Sequence, residues 1–252
     1  MIGIFDSGLG GLSALMPLKR HLPAADILYL ADTAALPLGE KSDDEIRARI
    51  FSALAFFHAR GADAVLLACG TASSLITDKC KERFTFPIFD IIQPTAKAIK
   101  DHFGGGRIAL LCTEAAARAG TFAAALAHGD TPVYSLGCPA LVHMAEGSAP
   151  KAPRAMAKAL APILPLRADL TVLGCTHFSL LSHEIGRALP HSRIVDAALC
   201  GAMQVAHHAP LPLGRRESGK TLFFTTGSPS PFDASASRVL GISVRAQQVF
   251  FS

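Results

Sequence analysis

An internal repeat constrains this fold more than any other feature of the chain. Asp63 to Ser73 reads DAVLLACGTAS, and Asp169 to Ser179 reads DLTVLGCTHFS. In each, an Asp opens a strand-like apolar run, a Cys stands six places after the Asp, and a hydroxyl or imidazole side chain stands two places beyond the Cys. Cys175 lies 106 residues after Cys69, and the same offset carries Asp6-Ser7 onto Cys112-Thr113, Ala53-Leu54-Ala55 onto Ala159-Leu160-Ala161, and Ile88-Phe89-Asp90 onto Ile194-Val195-Asp196. One register held without gaps across four elements is the mark of a duplicated unit, since similarity of composition alone would drift. A duplication implies two similar lobes about a pseudo-two-fold axis, with Cys69 and Cys175 facing each other across a cleft.

The 252 residues suffice for two modest lobes, each with its own core. Half of them are hydrophobic and 17% are charged, which excludes a disordered chain. The formal net charge of +4 is scattered and Trp is absent, so nucleic acid is not an expected partner; the mild excess of positive charge suits a small anionic substrate. Met1 leads directly into an apolar strand and a Gly-rich turn, with no charged leader and no apolar stretch long enough to span a bilayer, which predicts a cytoplasmic protein with no membrane partner. Six Cys in that compartment are expected as free thiols. No C-x-x-C pair occurs, and Cys175 with His177 supplies at most half a metal site, so no metal is expected.

Residues 2 to 5 predict a strand, Asp6 to Gly11 a tight Gly-rich turn, and the spacing of Leu12, Leu15, Met16 and Leu18 a helix. Ile27 to Leu30 predicts the next strand, and Ser42 with Glu45 a capping box that opens a helix running to about Arg60, ended by Gly61. After the strand that ends at Cys69, a single helix is expected from Thr71 to about Phe84, which sets Cys69 at a helix N-terminus where a thiolate is stabilised. In the second copy the expected strands are Ile108 to Leu111, Val133 to Leu136, the run ending at Cys175 and Ile194 to Asp196, with helices from Thr113 and after Cys138-Pro139. Strands that alternate with helices predict an α/β fold of two doubly wound, mainly parallel sheets, with the ligand crevice at the carboxyl ends of the strands. Gly214 to Thr221 matches the P-loop spelling G-x-x-x-x-G-K-T, but the Pro-rich segment before it and the strand-like Leu222 to Thr225 after it make this a chance match.

Two thiols opposed across a cleft suit the removal of a proton from one face of a carbon and the return of one to the other face. One sulfur must start as thiolate and the other as thiol, with the assignment reversed for the reverse reaction. Asp6 on the first lobe and His177 beside Cys175 are the candidates for tuning them. Nothing in the sequence calls for a cofactor, so the carbanion must be stabilised by backbone N–H groups and by hydroxyls at strand ends, for which Ser7, Thr71, Thr113 and Thr176 are placed. Cys80, Cys112 and Cys200 read as structural thiols, Cys200 in the core, and Cys138 as a residue near the cleft.

The motifs D-S-G-x-G-G at Asp6 to Gly11, D-T-A at Asp32 to Ala34, P-x-G-E-K-S at Pro37 to Ser42, A-C-x-T-A at Ala68 to Ala72, Cys138-Pro139, Glu146-Gly147, G-C-T-H at Gly174 to His177 and T-T-G at Thr225 to Gly227 run in order through the chain. Together they resemble the glutamate racemases of the aspartate/glutamate racemase superfamily. The resemblance implies a cofactor-independent two-base amino-acid racemase that supplies D-glutamate for peptidoglycan. It implies that Cys69 and Cys175 are the acid/base pair, assisted by Asp6, His177 and Glu146, and that Pro37, Leu38, Gly39 and Gly70 join the hydroxyl residues around the substrate. It also implies that the C-terminal tail joins the first lobe, giving lobes of residues 1–93 with 205–252 and 94–204, and that the protein is a homodimer. Three positions depart from the pattern: Gly70 stands where the family has Asn, Leu38 where it has Tyr, and Ala116 where it has Thr. These departures leave open a racemase for a different amino acid, or a binding protein derived from one.

Overall fold

The computed structural model describes residues 1–129, 131–209 and 218–251. Among the described residues, ten strands form two sheets: β1 (Ile2–Asp6), β2 (Ile27–Ala31), β3 (Ala64–Leu67), β4 (Ile88–Asp90), β9 (Thr221–Thr225) and β10 (Ala246–Gln248) in one, and β5 (Ile108–Cys112), β6 (Val133–Gly137), β7 (Leu170–Leu173) and β8 (Arg193–Asp196) in the other. The orders are β10-β9-β2-β1-β3-β4 and β6-β5-β7-β8, and every pair is parallel. The central strands β1, β2, β3, β5 and β7 are buried along their whole length, as continuous apolar runs covered on both faces must be.

The 106-residue offset is obeyed at the level of hydrogen-bond register. Ile2 pairs with Ile27 and Ala64 in the first sheet, and Ile108 pairs with Val133 and Leu170 in the second. Val65 opposite Ile88 likewise recurs as Thr171 opposite Ile194. The helix Ile92–His102 corresponds to Ala197–His208, and these two helices pack against each other. The flanking contacts are paired too, with Leu12–His21 on Ala197–His208 and Thr121–Leu126 on Ile92–His102, as a two-fold axis through the central helix pair requires. Boundaries at 93/94 and 204/205 therefore fall inside the two helices that join the lobes. One apolar core runs through this junction, with Leu12, Tyr29 and Val205 on one side and Ile99, Leu110 and Val172 on the other.

The tail without a counterpart adds β9 alongside β2 and β10 at the edge of the first sheet. Phe223 and Phe232 of this segment pack on the ring of Tyr29. Residues 210–217, which carry the first half of the P-loop spelling, lie outside the described residues; its last residue, Thr221, opens β9.

The helix expected from Thr71 to Phe84 is two helices, Gly70–Leu75 and Asp78–Lys81. Ile76 is extended, and the Thr77 hydroxyl accepts from the Cys80 N–H at 3.3 Å, so a side-chain cap competes with continuation of the first helix. The helix after Thr113 also stops early, at Gly120 in the left-handed region with φ of 67°. The Ser42 cap forms as expected, accepting from Glu45 N–H at 3.3 Å. Cys200 is half-buried and not part of the core. Among the described residues, no helix is long and apolar enough to cross a membrane.

Candidate active site

The carboxyl ends of both sheets meet at one cavity. Cys69 caps the Gly70–Leu75 helix just after β3, and Cys175 caps the Thr176–Ser179 helix just after β7. Both thiols are buried and both line the cavity. Ser7, Pro37, Leu38, Gly39, Thr71, Thr113 and His177 line it with them, as anticipated. Leu36, Glu40, Glu114, Pro139 and Val142 complete the wall and were not anticipated. About 20 Å³ is open to the centres of water molecules, room for one or two waters.

Two of the missed residues were within reach of the repeat. Leu36 and Val142 are counterparts at the 106-residue offset, as are Ser7 and Thr113, Cys69 and Cys175, and Thr71 and His177, and each of these pairs lines the cavity from both lobes. Glu40, at the mouth, is the counterpart of Glu146.

Cys175 has the richer polar setting. Its sulfur lies 3.8 Å from His177 Nδ1, and His177 Nε2 hydrogen-bonds to Glu146 Oε1. Glu146 is the last residue of the Pro139–Glu146 helix, and the same oxygen accepts from the backbone N–H of Leu9 in the other lobe at 3.4 Å. Burial alone lowers an imidazole pKa, but the bonds to Cys175 and Glu146 and the charge of Asp6 outweigh it, holding His177 well above its ordinary value. Burial pushes the Glu146 carboxyl up, and the bond to His177 outweighs that and leaves it lowered.

Cys69 has no imidazole. Its nearest polar side chain is Ser7, with Sγ to Oγ at 3.8 Å. Burial first, and then the Asp6 charge, push its thiol up to about 12, against a smaller opposing contribution from the Ala72 N–H. The helix N-terminus thus does not make Cys69 a ready thiolate, because desolvation exceeds what a six-residue helix supplies.

Asp6, Gly70, Thr176 and Glu146 stand behind the cavity wall and not in it. The Asp6 carboxylate is fully buried and accepts from Gly8 N–H at 3.0 Å and from Thr176 Oγ1 at 2.8 Å, tying the lobes together. The hydroxyls of Thr71 and Thr113 are 2.8 Å apart, a second bond across the cleft. Gly39 lies close against Thr113, and Leu38 is buried in a cluster that includes Ala115 of the second lobe. Cys112 is buried outside the cavity lining, its thiol pushed up to about 12 by burial, and Cys138 Sγ is 3.6 Å from the Ala159 carbonyl oxygen. Asp32 is structural: Arg49 holds it at 2.5 and 2.8 Å, and the Thr226 hydroxyl donates to it at 2.6 Å, so the D-T-A and T-T-G motifs bind each other. Among the described residues, no group of His, Cys, Asp or Glu is arranged to hold a metal.

A family model described as Asp/Glu/Hydantoin racemase matches residues 16–205. The chain is 32% identical to a glutamate racemase of Desulforudis audaxviator over 95% of its own length and 93% of the relative's. A crystal structure of a glutamate racemase isoform from Bacillus anthracis is similar with a TM-score of 0.91 at 29% identity, covering 99% of this chain and 97% of that one. A Thermus thermophilus glutamate racemase in complex with beta-chloro-D-alanine is similar with a TM-score of 0.87 at 31% identity, covering 99% and 96%.

Proposed function

The chain belongs to the Asp/Glu/hydantoin racemase family, and from that premise we propose that it interconverts L- and D-glutamate by two-thiol acid–base catalysis. The observation that carries the reading is the pair of offset-related cysteines lining a single cavity in unequal surroundings. The imidazolium of His177, held by Glu146, stands 3.8 Å from the Cys175 sulfur, whereas burial pushes the Cys69 thiol up to about 12. In one direction Cys175 removes the α-proton from one face of the substrate and Cys69 delivers a proton to the other. Starting from the opposite enantiomer, the roles exchange. Asp6 acts through its charge and through Thr176, and Glu146 through His177. Ser7, Thr71 and Thr113, with backbone N–H groups at the helix starts, are the groups offered to the substrate carboxylates and to the carbanion.

The same reading makes the protein a cytoplasmic homodimer that supplies D-glutamate for peptidoglycan, with lobes of residues 1–93 plus 205–252 and 94–204. Incubation in D2O with either glutamate enantiomer tests it. Deuterium should enter the α-carbon of both, with circular dichroism converging on a racemic mixture. Exchange with aspartate or another amino acid alone would move the activity to a different substrate, a reading favoured by Gly70, Leu38 and Ala116. No exchange with any amino acid would leave a binding protein.

A further inference from the structure

At one point the lobes meet backbone to backbone, with neither contributing a side chain. A Cβ on Gly70 would lie 1.9 Å from the carbonyl oxygen of Gly174 and 3.6 Å from the Cα of Cys175. Gly70 follows Cys69 and Gly174 precedes Cys175, so this backbone contact lies directly beside both thiols. The opposing atom is a main-chain oxygen at the end of β7, not the tip of a flexible side chain. Gly174 is itself fixed, since its N–H donates to the Leu111 carbonyl at 2.8 Å and a Cβ on it would lie 2.7 Å from Leu110 Cδ1.

The pseudo-symmetric junction is built differently. The counterpart of Gly70 is Thr176, and it meets Gly10, where a Cβ would lie 2.4 Å from Thr176 Oγ1. The counterpart of Gly10 is Ala116, on the Glu114–Ala119 helix that packs against Gly70–Leu75. One junction thus sets a threonine on a glycine, and the other has a bare glycine facing a helix that carries Ala116. Gly70 and Ala116 thus fall on one junction, and neither carries bulk beyond a methyl group. The space that a side chain at Gly70 would need is occupied by the Gly174 carbonyl.

We propose that Gly70 is a positioning residue that sets how far the cleft closes, by letting the first lobe rest its backbone on the Gly174 carbonyl and so fixing the separation of the two thiols. For its effect on turnover the proposal rests on the racemase reading; for the geometry it does not. Any Cβ at this position must displace the Gly174–Cys175 segment relative to Cys69 by about an ångström, a misplacement that costs on the order of 10²-fold in a positioned reaction.

The test uses the full-length chain with Gly70→Ala and Gly70→Asn. If Gly70 merely lacks a substrate hydrogen bond, Gly70→Asn should lower KM and Gly70→Ala should change nothing. If Gly70 sets closure, both should lower kcat by roughly ten- to a hundredfold while KM moves less than about threefold. Alkylation of Cys69 by iodoacetamide, followed by peptide mass spectrometry, needs no turnover and should quicken at least about fivefold in Gly70→Ala, because a cleft held ajar exposes the thiol. Ala116→Thr adds bulk on the facing helix and should quicken alkylation in the same direction, a readout that stands if the Gly70 variants do not fold. Unchanged alkylation in folded Gly70→Ala, a lowered KM in Gly70→Asn, or, where the Gly70 variants fail to fold, unchanged alkylation in Ala116→Thr would overturn the proposal. Faster alkylation in variants of a wild type that racemises no glutamate would sustain the positioning role and remove the glutamate reading alone.

Discussion

The two halves of the cavity descend from one sequence pattern and have become chemically unequal. On the Cys175 side, a buried imidazole and a carboxylate stand behind the sulfur, and a charged interlobe bond joins Thr176 to Asp6. On the Cys69 side the positions corresponding to His177 and Asp6 hold Thr71 and Cys112, and the side chain hydrogen-bonded to the sulfur is the Ser7 hydroxyl. A fold that places two thiols symmetrically has therefore given them different surroundings, an imidazole 3.8 Å from the sulfur of Cys175 and, at Cys69, a burial that pushes the thiol up to about 12. For a two-base reaction the inequality is useful, because two thiolates or two thiols at rest would each lack one of the needed partners.

The sharpest way to break this comparison is to remove one sulfur at a time. Cys69→Ser and Cys175→Ser should each cut net racemisation by at least the roughly 10²–10⁴-fold contributed by a positioned acid or base. Each variant should retain α-proton exchange with one enantiomer only, the one whose proton is taken by the remaining thiol, as read by deuterium incorporation. Near-normal turnover in either variant would end the two-thiol mechanism.

A smaller effect separates the halves without touching either sulfur. Glu146→Gln removes a charge that raises the His177 pKa, so the imidazolium should be lost at lower pH than in the wild type. The alkaline limb of kcat/KM should move down in pH, with a fall of roughly ten- to a hundredfold at neutral pH. Iodoacetamide labelling of Cys175 should slow in parallel, whereas labelling of Cys69, whose thiol is pushed up to about 12, should keep its dependence on high pH. Equal slowing at both sulfurs would mean that Glu146 supports the lobe junction and not one thiol.

How much of this was legible in the sequence follows from what each feature depends on. The repeat fixed strand registers and the opposition of Cys69 to Cys175 because a duplicated apolar pattern must pair its strands twice in the same way. The break at Ile76 was missed because Thr77 reads equally as a helix residue or as a cap, and tertiary context decides between them. The raised pKa of Cys69 was read with the wrong sign, since a helix start is visible in a sequence and the depth of burial is not. Leu36 and Val142 could have been found from the repeat, whereas Glu114 and Pro139 had no such signal, because their counterparts at the 106-residue offset, Gly8 and Thr33, do not line the cavity.

The smallest expected effects compare the two polar bonds that cross the cleft. Thr176→Val takes a donor from the fully buried carboxylate of Asp6, and a hydrogen bond to a charged group in such a place is worth about 1.5–3 kcal/mol. Thr71→Val breaks a neutral hydroxyl pair, and the remaining Thr113 hydroxyl is only half-buried and within reach of cavity water, which limits the loss to about 0.5–1.5 kcal/mol. Chemical denaturation at neutral pH should therefore rank Thr176→Val below Thr71→Val in midpoint at unchanged slope. If the order is reversed, Asp6 keeps its charge satisfied through Gly8 N–H alone, and the burden of holding the lobes together lies on the Cys69 side, where the backbones of Gly70 and Gly174 already meet.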